Sequence, residues 1–160
     1  MKTKFAAAVV LALALAACSG APEAEDRAAE TGAVVEAGLS ITGGRMVMPA
    51  VSGNPGVVYF SAENTGAAAV SLAAVDVAGS ARSEIHDMSG GEGMMRMERL
   101  EAVELPAGET VQFAPGGKHV MVFELDPGLG AGGKTEVTLM LANGDKASFT
   151  VPIQGAGDDR

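Results

Sequence analysis

The sequence predicts an all-β fold, an antiparallel sandwich or barrel of about 120 residues. From about residue 36 onward, short β-prone runs are separated by turns rich in Gly, Pro and Asn. No stretch of helical periodicity in that region is longer than about ten residues. The 160 residues suit one domain rather than two, and a body of this size can bury a core without disulfides.

Nine runs have the composition of strands. The last two flank Asn143-Gly144, which predicts a two-residue hairpin because both central residues of a type I′ turn need positive φ. Aromatic residues make up only 4% of the chain, so we expect a core of mostly Val, Leu, Ala and Met. The candidate strands are residues 39–48, 56–65, 69–78, 83–88, 94–105, 109–114, 119–125, 134–142 and 146–153.

The N-terminus predicts export and lipid attachment. Residues 1–17 have a lysine-containing start and a short apolar run, which is typical of a signal peptide. They end in Leu-Ala-Ala before Cys18, the only cysteine, and this motif resembles a bacterial lipobox. We therefore expect a lipidated Cys18, a flexible tether over residues 18–35 and a folded domain over residues 36–160. An ordinary signal peptide that ends near a cysteine is the alternative, and the sequence leaves open which bacterial membrane holds the anchor.

The charge balance excludes nucleic acid as a partner. The chain has 11 basic and 20 acidic residues. Removal of Lys2 and Lys4 with the signal leaves 9 basic residues, a formal charge of −11. Such a surface repels a phosphate backbone, although a solvated acidic surface needs no further function.

The two histidines point to chemistry because each has a methionine two residues later. His119 and Met121 are predicted in one strand, where alternate side chains share a face and lie about 6.5 to 7 Å apart. His86 and Met88 have the same spacing, and Met97 follows a glycine-rich stretch that lets the chain reverse. We expect His86, Met97, His119 and Met121 to meet at one end of the sandwich.

These ligand types favour copper. Thioether sulfur is soft and suits Cu(I), while imidazole accepts copper in either oxidation state. Single methionines are usually core fillers, but five of the eight after the signal peptide fall between residues 88 and 121. A zinc site made of His86, His119 and carboxylates is an alternative.

The pattern resembles the PCu(A)C family of periplasmic copper chaperones. Its signature is His, ten residues, Met, twenty-one residues and His-x-Met, which His86, Met97, His119 and Met121 match without a gap. The similar blocks cover residues 36–154. The resemblance implies a cupredoxin-like antiparallel Greek-key β-sandwich that binds one Cu(I) through these four side chains. It also implies delivery toward the copper centre of cytochrome c oxidase, with an oxidase copper domain or a thiol-containing assembly factor as acceptor.

Several neighbouring residues are expected to assist the site. Met88 is a possible auxiliary ligand, and Met94 and Met95 are expected to pack or to form a soft rim. Glu84 and Asp87 flank His86 and could orient its ring by a hydrogen bond. The C-terminus lacks the His- and Met-rich extension of some family members, so no second copper site is expected.

Other function classes fit less well. An electron-transfer cupredoxin needs a cysteine thiolate at the metal, and a hydrolase built on His86 and Asp87 lacks a nucleophile. The main alternative is a lipid-anchored β-sandwich that binds a protein and no metal. The sequence therefore predicts a copper carrier that is not an enzyme, located outside the cytoplasm and attached to a membrane through Cys18.

Overall fold

The computed structural model describes residues 34–89 and 96–158. These residues form eleven β-strands, and no helix among them is long and apolar enough to cross a bilayer. Each of the nine candidate runs contains a strand, and the predicted strand over residues 119–125 has the observed limits. The strands are β1 Val34–Glu36, β2 Leu39–Val47, β3 Gly56–Asn64, β4 Val70–Val77, β5 Ser80–Ser89, β6 Arg96–Leu100, β7 Val103–Leu105, β8 Thr110–Phe113, β9 His119–Leu125, β10 Lys134–Leu141 and β11 Lys146–Gln154.

The strands form two layers. The first layer, here the site sheet, has the order β6-β5-β9-β3-β2, with β1 paired to β2 and β8 paired to β3. The second layer, the back sheet, has the order β11-β10-β4-β7. A short parallel pairing of β2 with β11 joins the layers, and the other strand pairs described are antiparallel. Strand β9 lies between β3 and β5, which are not its sequence neighbours, and such long returns are typical of Greek-key connections.

The core lies between the two layers because side chains alternate along each strand. In β10 and β11, every second residue is buried. Phe60 stacks on Phe113 with ring centroids 4.3 Å apart and meets Phe149 edge-on at 5.4 Å. Val, Leu, Ala and Met make up most of the buried core, as expected, although Met46 is the only core methionine among the described residues. The methionines near the histidines lie elsewhere.

One candidate strand divides into two because the chain changes sheet. Residues 94–105 were expected as one run, but Leu100 pairs with Ile85 in the site sheet while Val103 pairs with Leu72 in the back sheet. A continuous strand cannot pair in both layers.

The folded part begins before the predicted boundary at residue 36. Strand β1 pairs with β2, and the backbone N–H of Ser148 donates to the Glu36 carboxylate at 2.7 Å. Two valines of the predicted tether thus belong to the sandwich. The rest of that segment, the predicted signal peptide and Cys18 lie outside the described residues.

The hairpin at Asn143-Gly144 forms, but its predicted turn type is wrong. Only Gly144 has a positive φ, of 92°. The Gly144 N–H donates to the Leu141 carbonyl, and the Leu141 N–H donates to the Asp145 carbonyl. This is a longer loop with a type I turn followed by a left-handed glycine. The Asn143 side-chain oxygen accepts the Asp145 N–H at 3.0 Å, which stabilises this alternative.

Candidate metal centre

The two histidines face each other across neighbouring strands. Strands β5 and β9 pair antiparallel with His86 directly opposite His119. The ring centroids are 5.9 Å apart and the ring planes are inclined by 33°. His119 is 5% exposed and the His86 side chain 14% exposed. Two imidazoles separated by 33 residues in the chain are thus brought into contact range and shielded from solvent.

His119 is oriented by a turn that precedes its own strand. Its Nδ1–H donates to the carbonyl oxygen of Gly117 at 2.8 Å, and Gly116 before it has a φ of 80°, which glycine adopts without strain. The same carbonyl accepts the backbone N–H of Met88 at 3.3 Å, so the turn is tied to β5. With Nδ1 as the donor, Nε2 has a free lone pair. Nε2 has no hydrogen-bond partner among the described residues.

His86 is held through Nε2 rather than Nδ1, and its partner is a carboxylate. Its Nε2–H donates to Glu84 at 3.1 Å. Its Nδ1 is fully buried and has no hydrogen-bond partner in the described part of the chain. Buried polar atoms without partners are rare in folded proteins. The Nδ1 lone pair is therefore available to a ligand.

The charge on Glu84 is favoured by its neighbours. The hydrogen bond with His86 holds the pKa of Glu84 below its usual value, and the guanidinium groups of Arg82 and Arg99 act in the same direction against the effect of burial. Arg82 forms an ion pair with Glu84 at 2.9 Å. An ionised Glu84 makes His86 a donor at Nε2 and thereby makes Nδ1 the basic nitrogen.

The two His-x-Met units are arranged symmetrically about the histidine pair. Because β5 and β9 run in opposite directions, Met88 extends from His86 toward one end and Met121 extends from His119 toward the other. Met121 is opposite Glu84 and diagonal to His86, and Met88 is diagonal to His119. Both side chains lie on the same face as the imidazoles because they are two residues along each strand.

Met97 lies beside this arrangement rather than within it. It is opposite Met88 on the edge strand β6 and is 52% exposed. With strands about 4.8 Å apart and residues about 3.3 Å apart along a strand, the Cα atoms of Met97 and Met121 would be about 16 Å apart in a flat sheet. The register thus groups His86, His119, Met121 and Met88, with Met97 next to Met88. Both Met97 and Met121 would reach one ion only if the β5–β6 hairpin curled over the histidines.

The two carboxylates that were expected near His86 have different roles. Glu84 contacts the ring, whereas Asp87 lies on the alternate side of β5 and pairs with Lys118 at 3.0 Å. Period-two spacing in Glu84-x-His86 is the signal that distinguishes them, because only the residue two positions away shares the face of the ring. Among residues 34–89 and 96–158, no three His, Cys, Asp or Glu side chains are grouped as a metal site. Met94, Met95 and Cys18 lie outside the described residues.

The fold matches solved copper-protein domains. The copper-bound PCuAC domain of PmoF2 superposes with a TM-score of 0.65 at 19% identity, covering 77% of this chain and 97% of that domain. The Cu(I) form of DR1885 from Deinococcus radiodurans gives 0.61 at 18% identity, covering 82% of this chain and 87% of that one. These likenesses confirm the predicted cupredoxin-like sandwich and, at the level of fold, the resemblance to PCu(A)C domains.

Sequence comparison gives the family. A lipoprotein of Leifsonia xyli subsp. xyli, "Putative lipoprotein Lxx21020", is 29% identical over 93 residues, which cover 58% of this chain and 56% of that protein. The chain thus matches little more than half of the relative's length. The family model described as "Putative lipoprotein LpqE-like" matches residues 39–153, which span almost the whole sandwich. The chain therefore belongs to the LpqE-like lipoprotein family.

Proposed function

We propose that this protein is a lipid-anchored, extracytoplasmic copper chaperone that binds one Cu(I) and catalyses no reaction. The proposed ligands are His86, His119, Met121 and Met97, with Met88 as an auxiliary ligand, and Met97 reaches the ion when β6 curls over the histidines. The observation that carries the proposal is the pair of imidazoles, each fixed through one nitrogen and each with the other nitrogen free. Such outer hydrogen bonds are characteristic of histidines that bind metals.

The donor set supports copper over other metals. Thioethers are weak ligands for Zn²⁺, Mg²⁺ and Ca²⁺, whereas they suit Cu(I). The methionines on this face are partly or largely exposed, so they are not needed to fill the core. Copper-bound PmoF2 and the Cu(I) form of DR1885 have the same fold, which supports the same cargo for this chain.

The proposed ligands are all neutral, and this favours transfer. Two imidazoles and two thioethers leave the charge of Cu(I) uncompensated by the atoms that contact it. A partner ligand can therefore join the ion before a methionine or histidine leaves, in stepwise substitution. The exposed Met97 is the ligand that an incoming group reaches most easily.

The compartment and recipient complete the proposal. The family is one of lipoproteins, which supports an anchor at Cys18, the only cysteine of the chain. With Cys18 acylated, no thiolate competes for the ion. The recipient is a copper-accepting protein outside the cytoplasm, and the copper domain of cytochrome c oxidase is the first one to test.

An anaerobic competition titration against a chromogenic Cu(I) chelator tests binding. The mature chain carries Cys18→Ser throughout, because a free thiol would bind Cu(I) itself. Met121→Leu and His119→Ala should each weaken binding, and so should Met97→Leu and Met88→Leu to a smaller extent. Met140→Leu, in the back sheet, is the matched control and should have no effect. Weak binding by the parent, or equal effects of all the substitutions, would contradict copper binding.

Two further measurements separate the alternatives. Zinc affinity that survives Met97→Leu and Met121→Leu combined would indicate a zinc site on the histidines. Mixing the Cu(I) form with a soluble oxidase copper domain should move the metal. Failure to move it at comparable affinities would contradict delivery to this recipient.

A further inference from the structure

The face that bears the histidine pair differs in charge from the rest of the protein. The whole chain has a formal charge of −9. In the site sheet, Arg99 is directly opposite His86, Arg82 is two residues before Glu84, and Arg45 is opposite Tyr59 in the neighbouring strand pair. We call the surface formed by Arg45, Arg82, Arg99, the histidine pair and the side chains between them the arginine face.

Two acidic groups of these strands lie on the same side of the sheet as the arginines. Glu63 is four residues beyond Tyr59, about 13 Å farther along β3, and Glu84 is paired with both Arg82 and His86. Asp87 and Glu98 are opposite each other and occupy the alternate positions of β5 and β6, so they belong to the other side of the sheet. The arginine face therefore has a local positive charge on an acidic protein.

Two of the arginines are held against aromatic rings. The guanidinium of Arg82 lies 4.3 Å from the centroid of Phe123, and that of Arg45 lies 4.9 Å from the centroid of Tyr59. Stacking fixes a guanidinium in place, and the N–H groups that Arg82 does not donate to Glu84 remain available at its edge. Fixed, outward-facing donors lose little side-chain entropy when they bind carboxylates.

The centre of the face is partly apolar. Met121 is opposite Val57, and Val57 is opposite Val47, so a row of apolar side chains crosses three strands. These residues are partly exposed, and Met97 at the edge is 52% exposed. An apolar centre with charged groups around it is the usual composition of a protein interface.

The arginines do not serve to attract the proposed cargo. A cation site normally gathers carboxylates, and guanidinium groups beside a Cu(I) site repel the ion. Their charge is therefore better explained by a partner than by the metal. We propose that the arginine face docks on an acidic surface of the copper-accepting protein, so that a ligand of the acceptor reaches the ion at the histidine pair. This inference rests on the proposed copper function.

Charge also favours a protein over the other possible occupants. An anionic bilayer is an extended surface, and it would repel the net charge of this chain as well as attract the face. A bilayer would moreover cover the site that must exchange its ion. A second copy would bring the same net negative charge. A protein acceptor needs acidic groups only over the area that it contacts. Because salt screens charges beyond about 8 Å, the charges within that area determine the attraction more than the net charge of the chain does.

The test measures Cu(I) transfer to two synthetic peptides with the same Cys-x3-Cys copper motif. One peptide has four Glu residues around the motif and the other has four Lys residues. The donor is the mature Cys18→Ser chain loaded with Cu(I), and transfer is followed anaerobically by stopped flow at low and high salt. Arg45→Glu combined with Arg99→Glu inverts the face. Lys134→Glu combined with Lys146→Glu makes the same charge change at exposed residues of the back sheet.

The parent should transfer to the Glu peptide at least about 10-fold faster than to the Lys peptide at low salt, and high salt should remove most of the difference. The Arg45/Arg99 variant should reverse the preference, and the Lys134/Lys146 variant should retain it. If both variants changed the peptide preference equally, the preference would depend only on the net charge of the donor, and the proposal would be overturned. Rates are compared at equal copper loading, with the affinity of each variant measured separately.

The other occupants give different results. Sedimentation of the parent with vesicles containing phosphatidylglycerol, lost in the Arg45/Arg99 variant alone, would assign the face to a membrane and overturn the proposal. If the parent forms a dimer in analytical ultracentrifugation and the Arg45/Arg99 variant does not, the arginine face would be assigned to a second copy of the chain. That result would also overturn the proposal. Tight Cu(I) binding without any peptide preference would overturn the docking face and leave the copper function intact. Absence of Cu(I) binding by the parent would overturn both the copper function and the docking proposal.

Discussion

Replacement of Glu84 should weaken Cu(I) binding although Glu84 is not a ligand. The carboxylate fixes the His86 ring through one hydrogen bond of 3.1 Å, and both side chains are only 12–14% exposed. Loss of such an outer contact usually lowers metal affinity by about 10- to 100-fold. Glu84→Gln keeps an oxygen acceptor and loses the charge, so we expect about 10-fold. Glu84→Ala loses both, and we expect a decrease near about 100-fold.

The assay is the same anaerobic Cu(I) competition, with Asp87→Asn as the matched control. Asp87 is close in sequence and carries the same charge, but it pairs with Lys118 rather than with the ring. Long-range ¹H–¹⁵N NMR of the metal-free protein gives an independent result. His86 should carry its proton on Nε2 in the parent and should populate both tautomers in Glu84→Ala. If Asp87→Asn weakens binding as much as Glu84→Gln, or if the tautomer is unchanged in Glu84→Ala, the reasoning is refuted.

Three further predictions concern stability, each measured by urea unfolding. Phe60→Ala should cost about 3–5 kcal/mol because it removes the ring that contacts two other buried rings, whereas Val35→Ala, at a position 68% exposed, should change stability by less than about 0.5 kcal/mol. Gly44→Ala should cost about 1–3 kcal/mol because its Cβ would lie 2.7 Å from a buried valine side chain, and Gly130→Ala, with open space around it, should not. Because the pKa of Glu84 is lowered in the fold, its carboxylate stabilises the protein above the unfolded value near 4.5. The stability difference between the metal-free parent and Glu84→Gln should therefore be constant above that pH and should shrink as the pH falls toward the folded pKa. A difference that grew on acidification would contradict the assigned cause.

The sandwich was predictable because its signals are local. Period-two alternation and glycine-rich turns depend only on neighbouring residues, and they located every strand except β1. The exceptions are places where the structure depends on pairing between strands that are distant in sequence. Residues 94–105 pass from one sheet to the other because Leu100 pairs with Ile85 in the site sheet and Val103 pairs with Leu72 in the back sheet. Ala37-Gly38, which the sequence analysis did not single out, forms the turn between β1 and β2 with positive φ at both residues, whereas at Asn143-Gly144 only the glycine has a positive φ.

The candidate site was predictable in its residues but not in its arrangement. Spacing alone put His119 and Met121 on one face, but the pairing of His86 with His119 is a register between strands that are distant in sequence. That register makes Met88 and Met121 equivalent about the histidine pair and puts Met97 one strand farther away. The role of Glu84 depends on the same register, because its ring partner is shielded only when β9 lies alongside.

Solvent exposure rises across the proposed site from His119 through His86 to Met97. This gradient bears on how the site would release its ion. His119 is nearly buried, the His86 side chain is 14% exposed and Met97 is 52% exposed. Each histidine ring is held by one hydrogen bond, which would have to break or reorient if the ring left the metal, whereas no such hydrogen bond would hold a methionine sulfur. In the proposed site, exchange would therefore begin at the methionine edge beside β6 and end at the histidine pair. Arg99 lies on that same edge strand, opposite His86, so an acidic acceptor that contacts it would bring its own ligand to the side where the first bond is weakest.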